Sequence, residues 1–121
     1  MRTGHRYKSY TGETGVTYQY YYDARRPVLR PEGQGAGADY SFVVTADQHP
    51  PFSLRVFVSE RGLAEWGRAH GRGLDSNEQY AAAKMRLFRA FDEQERLGEA
   101  RLDLVVDEQN IGELLEPLGI G

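Results

Sequence analysis

Lys8, Tyr10, Tyr21, Arg25 and Arg26 form the constellation in this chain whose residue types and spacing point most directly to an interaction. Cationic side chains attract phosphate, and tyrosine faces stack on unpaired bases. Tyrosine and arginine are also the residues enriched at protein interfaces. The same residues have a purely structural use, because cross-strand Tyr–Arg and Tyr–Lys contacts stabilise an exposed hairpin.

Charge helps to rank these readings. Residues 1–30 carry six Arg/Lys against two Asp/Glu, whereas residues 31–121 carry nine against sixteen. The whole chain has a formal net charge of −3 and a pI near 5.6, unlike the basic domains that typically bind nucleic acid. The expectation is therefore a small non-enzymatic domain acting through protein–protein contact. A homodimer that sets the basic N-terminal part against the acidic remainder is the preferred arrangement. Weak single-stranded RNA or DNA binding by the first hairpin is the alternative.

Other chemistry finds little support. The sequence has no Gly-x-Ser-x-Gly elbow, no phosphate-binding P-loop, and no Gly-x-Gly-x-x-Gly between a strand and a helix. It has no cysteine, which excludes disulfides and thiolate zinc sites. His5, His49 and His70 show no His-x-x-x-His or Glu-x-x-His spacing. Asp92-Glu93-Glu95 and Asp107-Glu108 read as solvated element ends. No catalytic residue, metal ligand or cofactor site is assigned. Lys84 sits at the edge of an apolar helical stripe. A desolvated lysine can be a nucleophile, but such a side chain more often lays its methylenes on the core and carries its ammonium to water.

The elements that must position these residues can be read from periodicity. Residues 6–10 and 16–23 are aromatic and β-branched, as strands are. The loop Thr11–Gly15 joins them, with Gly12 and Gly15 free to take positive φ. Alternation places Val16, Tyr18, Tyr20 and Tyr22 on the core face. Arg25-Arg26-Pro27 ends this hairpin, and the glycines around residues 31–38 suggest a flexible loop. A second hairpin follows, Tyr40–Thr45 and 52–58, its turn marked by Pro50-Pro51.

Ser59 can cap a helix to about His70. Asp75 and Glu78 fit a capping box for a longer helix to about Arg96, with Tyr80, Ala83, Leu87, Phe88 and Phe91 on its apolar stripe. Residues 101–106 read as a late strand, and Asn110 as the cap of a last short helix. The fold class is α+β: a mainly antiparallel sheet of about five strands, two N-terminal hairpins plus the late strand, with two to three helices on one face. A single domain over 1–121 is expected. No window approaches the roughly 18 apolar residues of a membrane span, and the basic N-terminus lacks the apolar core of a signal peptide. A cytoplasmic location follows as an expectation. Thirteen arginines against two lysines suggest a GC-rich bacterial genome.

Overall fold

The computed structural model describes residues 6–46, 49–94, 97 and 102–121. His5 and Arg96 lie outside the described residues. The strands are β1 (Lys8–Thr11), β2 (Thr17–Arg30), β3 (Gly35–Ala46), β4 (Phe52–Ser59) and β5 (Leu104–Val106). The helices are α1 (Glu60–His70), α2 (Ser76–Glu93) and α3 (Ile111–Leu115), the last followed by a 3-10 turn over Glu116–Leu118.

One sheet runs in the order β1-β2-β3-β4-β5. Its first four strands are antiparallel neighbours, and β5 joins the end parallel to β4. A parallel partner needs a long crossover, and α1 with α2 supplies it. The α+β class, the five strands and the three helices agree with the reading of the sequence.

The strand limits differ in an instructive way. The first hairpin does not end at Arg25-Arg26-Pro27, because β2 continues to Arg30 and pairs with β3 over that whole stretch. Pro27 is tolerated because β1 covers only Thr17–Tyr20 on the other side of β2, leaving the rest as an edge. The glycine-rich stretch contributes only a turn over residues 31–34, since Gly35 already belongs to β3.

Between Tyr22 and Ala24 the pairing with β3 shifts by one residue, a β-bulge. Before it, Tyr18, Tyr20 and Tyr22 share the face of Val44 and Phe42. After it, Arg25 pairs with Tyr40 and joins that face, while Arg26 pairs with Asp39 on the opposite one.

The core lies between this face and the helices. Tyr18, Tyr20, Phe42, Val44, Val56, Val58, Leu104 and Val106 meet Trp66, Leu87, Phe91, Leu114 and Leu115, all buried. Burial of each large side chain contributes about 1.5–3 kcal/mol. The far face has its own buried residue, Phe57. Its ring lies 4.3 Å beneath the Arg30 guanidinium, and Arg30 reaches on to Asp103 at 2.9 Å. The sheet curls far enough for a β2 side chain to meet the segment just before β5.

Local signals set the helix ends. Ser59 Oγ accepts the Gly62 N–H, and Gly71 closes α1 at φ 72°. Asp75 and Glu78 exchange the two hydrogen bonds of a capping box. Asn110 precedes α3 but does not cap it with its side chain. It accepts instead from the Asp107 N–H and donates to the Val105 carbonyl, tying the β5 exit into a turn.

The turn between β1 and β2 corrects a further expectation. Gly15 takes φ 92°, but Gly12 is not in the positive region. A Cβ on Gly12 would stand 2.2 Å from the Phe91 carbonyl oxygen, so glycine is required there for close approach to α2.

Candidate functional site

The most distinctive arrangement of polar and aromatic groups is the seam where α2 lies along β1 and β2. On α2, Tyr80, Lys84 and Phe88 follow one another at four-residue steps and so form one row. On the sheet, register puts Lys8 opposite Tyr20 and Tyr10 opposite Tyr18, all facing the helices. The Tyr10 ring stacks on Phe88 at 4.2 Å, and Tyr20 meets Phe88 edge-on at 5.5 Å. Tyr22 meets Tyr80 edge-on at 5.0 Å, and Tyr40 closes a cluster with both, 6.2 Å from Tyr22 and 6.5 Å from Tyr80.

Charge is segregated along this seam. At one end Asp92 accepts the Tyr10 hydroxyl at 2.9 Å and the Glu13 N–H at 3.1 Å. Toward the other end stand Lys8, Lys84 and Arg25. The Lys84 ammonium lies 5.7 Å from the Tyr80 ring centre and 5.8 Å from that of Phe88. Arg25 Nε donates to the Tyr40 hydroxyl at 3.3 Å. Among the described residues no carboxylate forms an ion pair with Lys84, Lys8 or Arg25. Burial, and then the charge of Lys8, pushes Lys84 below the ordinary lysine value.

The tyrosines shift the other way. Burial, then the hydrogen bond to Asp92 and the charges of Asp92 and Glu13, push Tyr10 up to about 12. Burial raises Tyr20, Tyr22 and Tyr80 as well, reinforced for each by a neighbouring tyrosine of the cluster. A raised tyrosine favours the fold in its neutral form. That contribution is complete below the ordinary value near 10 and is lost as pH climbs through the folded-state value. Alkaline difference spectroscopy on the folded protein will therefore show at least four tyrosines ionising above pH 10. Tyr10→Phe will remove the component near 12. A titration in which every tyrosine ionises at 10 would contradict the packing of this seam.

The residues singled out in the sequence are thus divided. Lys8, Tyr10 and Arg25 lie on the helix side, and Tyr21 and Arg26 on the other. Tyr10 does not offer a free face, because Phe88 covers its ring. Tyr21 has Tyr7 packed edge-on against it at 5.1 Å. Tyr22, expected in the core, is 39% exposed. Sequence reasoning passed over Tyr80 and Tyr22 as members of a site. The available signal was the Tyr80–Lys84–Phe88 spacing, read only as an apolar stripe with a lysine at its edge.

His49 and His70 lie apart from this seam. His49 is exposed between β3 and β4. His70 stacks on Trp66 at 3.9 Å, with its Nδ1 at 2.8 Å from the Trp66 carbonyl. Arg72 lies 5.1 Å from the Trp66 ring and grips Glu78 with two hydrogen bonds. That grip, with the Asp75 N–H, holds Glu78 down at about 2. Among the described residues, no helix is long and apolar enough to cross a membrane. Compared with known proteins, the chain shows no match to a family model, a curated protein or a solved structure.

Proposed function

We propose that this chain is a non-enzymatic protein-contact domain and that its partner is a second copy of itself. The observation that carries the reading is Leu29, 71% exposed on β2. Beyond the bulge, alternation sets Arg25, Pro27 and Leu29 on one face of β2, the face that Tyr22 occupies before it. These are the residue types that anchor interfaces, apolar and aromatic groups beside an arginine.

A complementary surface exists on the same molecule. Leu118 is 44% exposed in the turn after α3 and follows Glu113 and Glu116, both exposed. An apolar, basic patch on β2 and an apolar, acidic patch near the C-terminus suit a pair of copies related by a two-fold axis, each patch used twice. Pro27 and the arginines discourage strand addition at the bare β2 edge. Contact through the side-chain face avoids that obstacle.

Sedimentation velocity at micromolar concentrations will show a species of twice 13.7 kDa. Leu29→Glu will shift it toward monomer, and added salt will weaken it. A single 13.7 kDa species across that range refutes the dimer. Single-stranded nucleic-acid binding draws less support from the same surfaces, since Tyr10, Tyr18 and Tyr20 are packed under α2 and few ring faces remain for stacking.

A further inference from the structure

The two lysines of this chain both face the seam between β1 and α2. Lys8 is the cross-strand neighbour of Tyr20, on the face that turns toward α2. Tyr20 packs against Phe88, and the Lys84 ammonium lies over the rings of Phe88 and Tyr80. Lys84 is half-buried, so its charge is partly withdrawn from water. Drawing together two like charges, one of them desolvated, is unfavourable to the fold. The acids of α2 do not relieve it. Glu78 is engaged by Arg72, Asp92 by Tyr10 and Glu13, and Glu93 acts on Arg86. Asp23 lies at the bulge beside Tyr22 and makes no ion pair with either lysine. The chain has no other lysine.

We propose that Lys8 and Lys84, with the aromatic walls of Tyr22, Tyr80 and Phe88, form a binding site for the phosphoryl group of a small phosphate monoester. Two ammonium groups are neutralised by one dianion, and a phosphate monoester carries about −1.5 to −2 at pH 7. A carboxylate or a phosphodiester brings a single charge and leaves one lysine uncompensated. Tyrosine hydroxyls at the seam add neutral donors, and their raised proton affinities keep them protonated in the working range. Tyr22, 39% exposed, offers ring surface to an organic portion that is flat and apolar. This site does not depend on self-association, since the dimer surface centres on Leu29 and Leu118.

The test is thermal unfolding of the intact chain at pH 7.5 in sodium phosphate, and separately in phenyl phosphate, each against sodium chloride of equal ionic strength. A ligand that binds only the folded state raises the midpoint as its concentration rises. The wild-type midpoint is expected to climb by several degrees in millimolar phenyl phosphate, by less in phosphate, and not in chloride. Lys84→Met keeps the length of the side chain and removes the charge. It is expected to match or exceed the wild-type midpoint without ligand, because the like-charge contact is gone, and to lose the phosphate-dependent rise. Lys8→Met is expected to lose most of that rise. Equal gains in phosphate and chloride would overturn the proposal, as would a Lys84→Met protein that keeps the phenyl phosphate gain. A single-stranded oligonucleotide that stabilises the protein more than phenyl phosphate does would overturn the choice of a monoester.

Discussion

Phe91→Ala will lower the unfolding free energy by about 3–5 kcal/mol. The ring is fully buried and stacks on Tyr18 with centroids 4.3 Å apart, and it also meets Tyr10, Tyr20 and Phe88. Truncation removes the apolar burial and leaves a cavity between α2 and the first hairpin. That cavity cannot collapse easily, because the turn before β2 is already pressed against the Phe91 backbone. Chemical denaturation with an unchanged m-value measures the loss. A loss under about 1 kcal/mol would mean that α2 presents a different stripe to the sheet.

Gly12→Ala is the second large effect, and it works by intrusion rather than removal. One methyl group would fall 2.2 Å from the Phe91 carbonyl oxygen and 2.8 Å from its carbon. Both are backbone atoms of α2, so no side-chain rotation relieves the overlap. The turn or the helix end must move, and the Asp92 contacts to Tyr10 and Glu13 would strain with it. Overpacking of this kind costs about 1–3 kcal/mol and sometimes more, and this site belongs at the upper end. Gly15→Ala provides a contrast. Its cost comes from φ 92° alone, since a Cβ there meets nothing within 4 Å. Equal stability of wild-type and Gly12→Ala proteins would show that the turn does not pack on α2.

Much of this architecture was legible because short-range chemistry announces it. The Ser59 cap, the Asp75–Glu78 box and the Pro50-Pro51 break are each decided within a few residues. The alternation that put Tyr18 and Tyr20 on the core face was legible for the same reason. What escaped depends on neighbours distant in sequence. Pro27 looks like a terminator until β1 is known to be short enough to leave β2 bare beside it. Gly35–Ala38 looks like a linker until β2 is long enough to pair with it. Phe57 seems misplaced until the curl brings Arg30 over it.

The candidate site was legible in the same uneven way. Lys8, Tyr10 and Arg25 drew notice from their types, but Tyr10 proved to be covered by Phe88. Nothing in the sequence said that α2 would lie along that strand pair. Lys84 stood out as a lysine on an apolar stripe, but the absence of an acid beside it became visible only once Glu78 and Asp92 were seen with other partners. Tyr22 was read as core because alternation assigns a face and not a depth: it shares the face of Tyr18 and Tyr20 but stands 39% exposed.

The register shift next to Asp23 also bears on how such a sequence can change over generations. Along most of β2 a substitution alters one side chain. Loss of the single extra residue at the shift would restore strict alternation and leave everything from Ala24 to Arg30 on its present face, since Ala24 would still meet Ser41 and Arg25 would still meet Tyr40. Drawing Asp23 into the ladder without shortening the strand is what would turn Arg26 toward the helices and point Arg25 and Leu29 to the far side. Arg30 would leave the Phe57 ring it covers. Straightening the shift at constant strand length is therefore an exchange of two whole surfaces. Among descendants of this chain, the bulge can disappear together with its extra residue, but the extra residue cannot be absorbed into the ladder without turning the rest of β2 over.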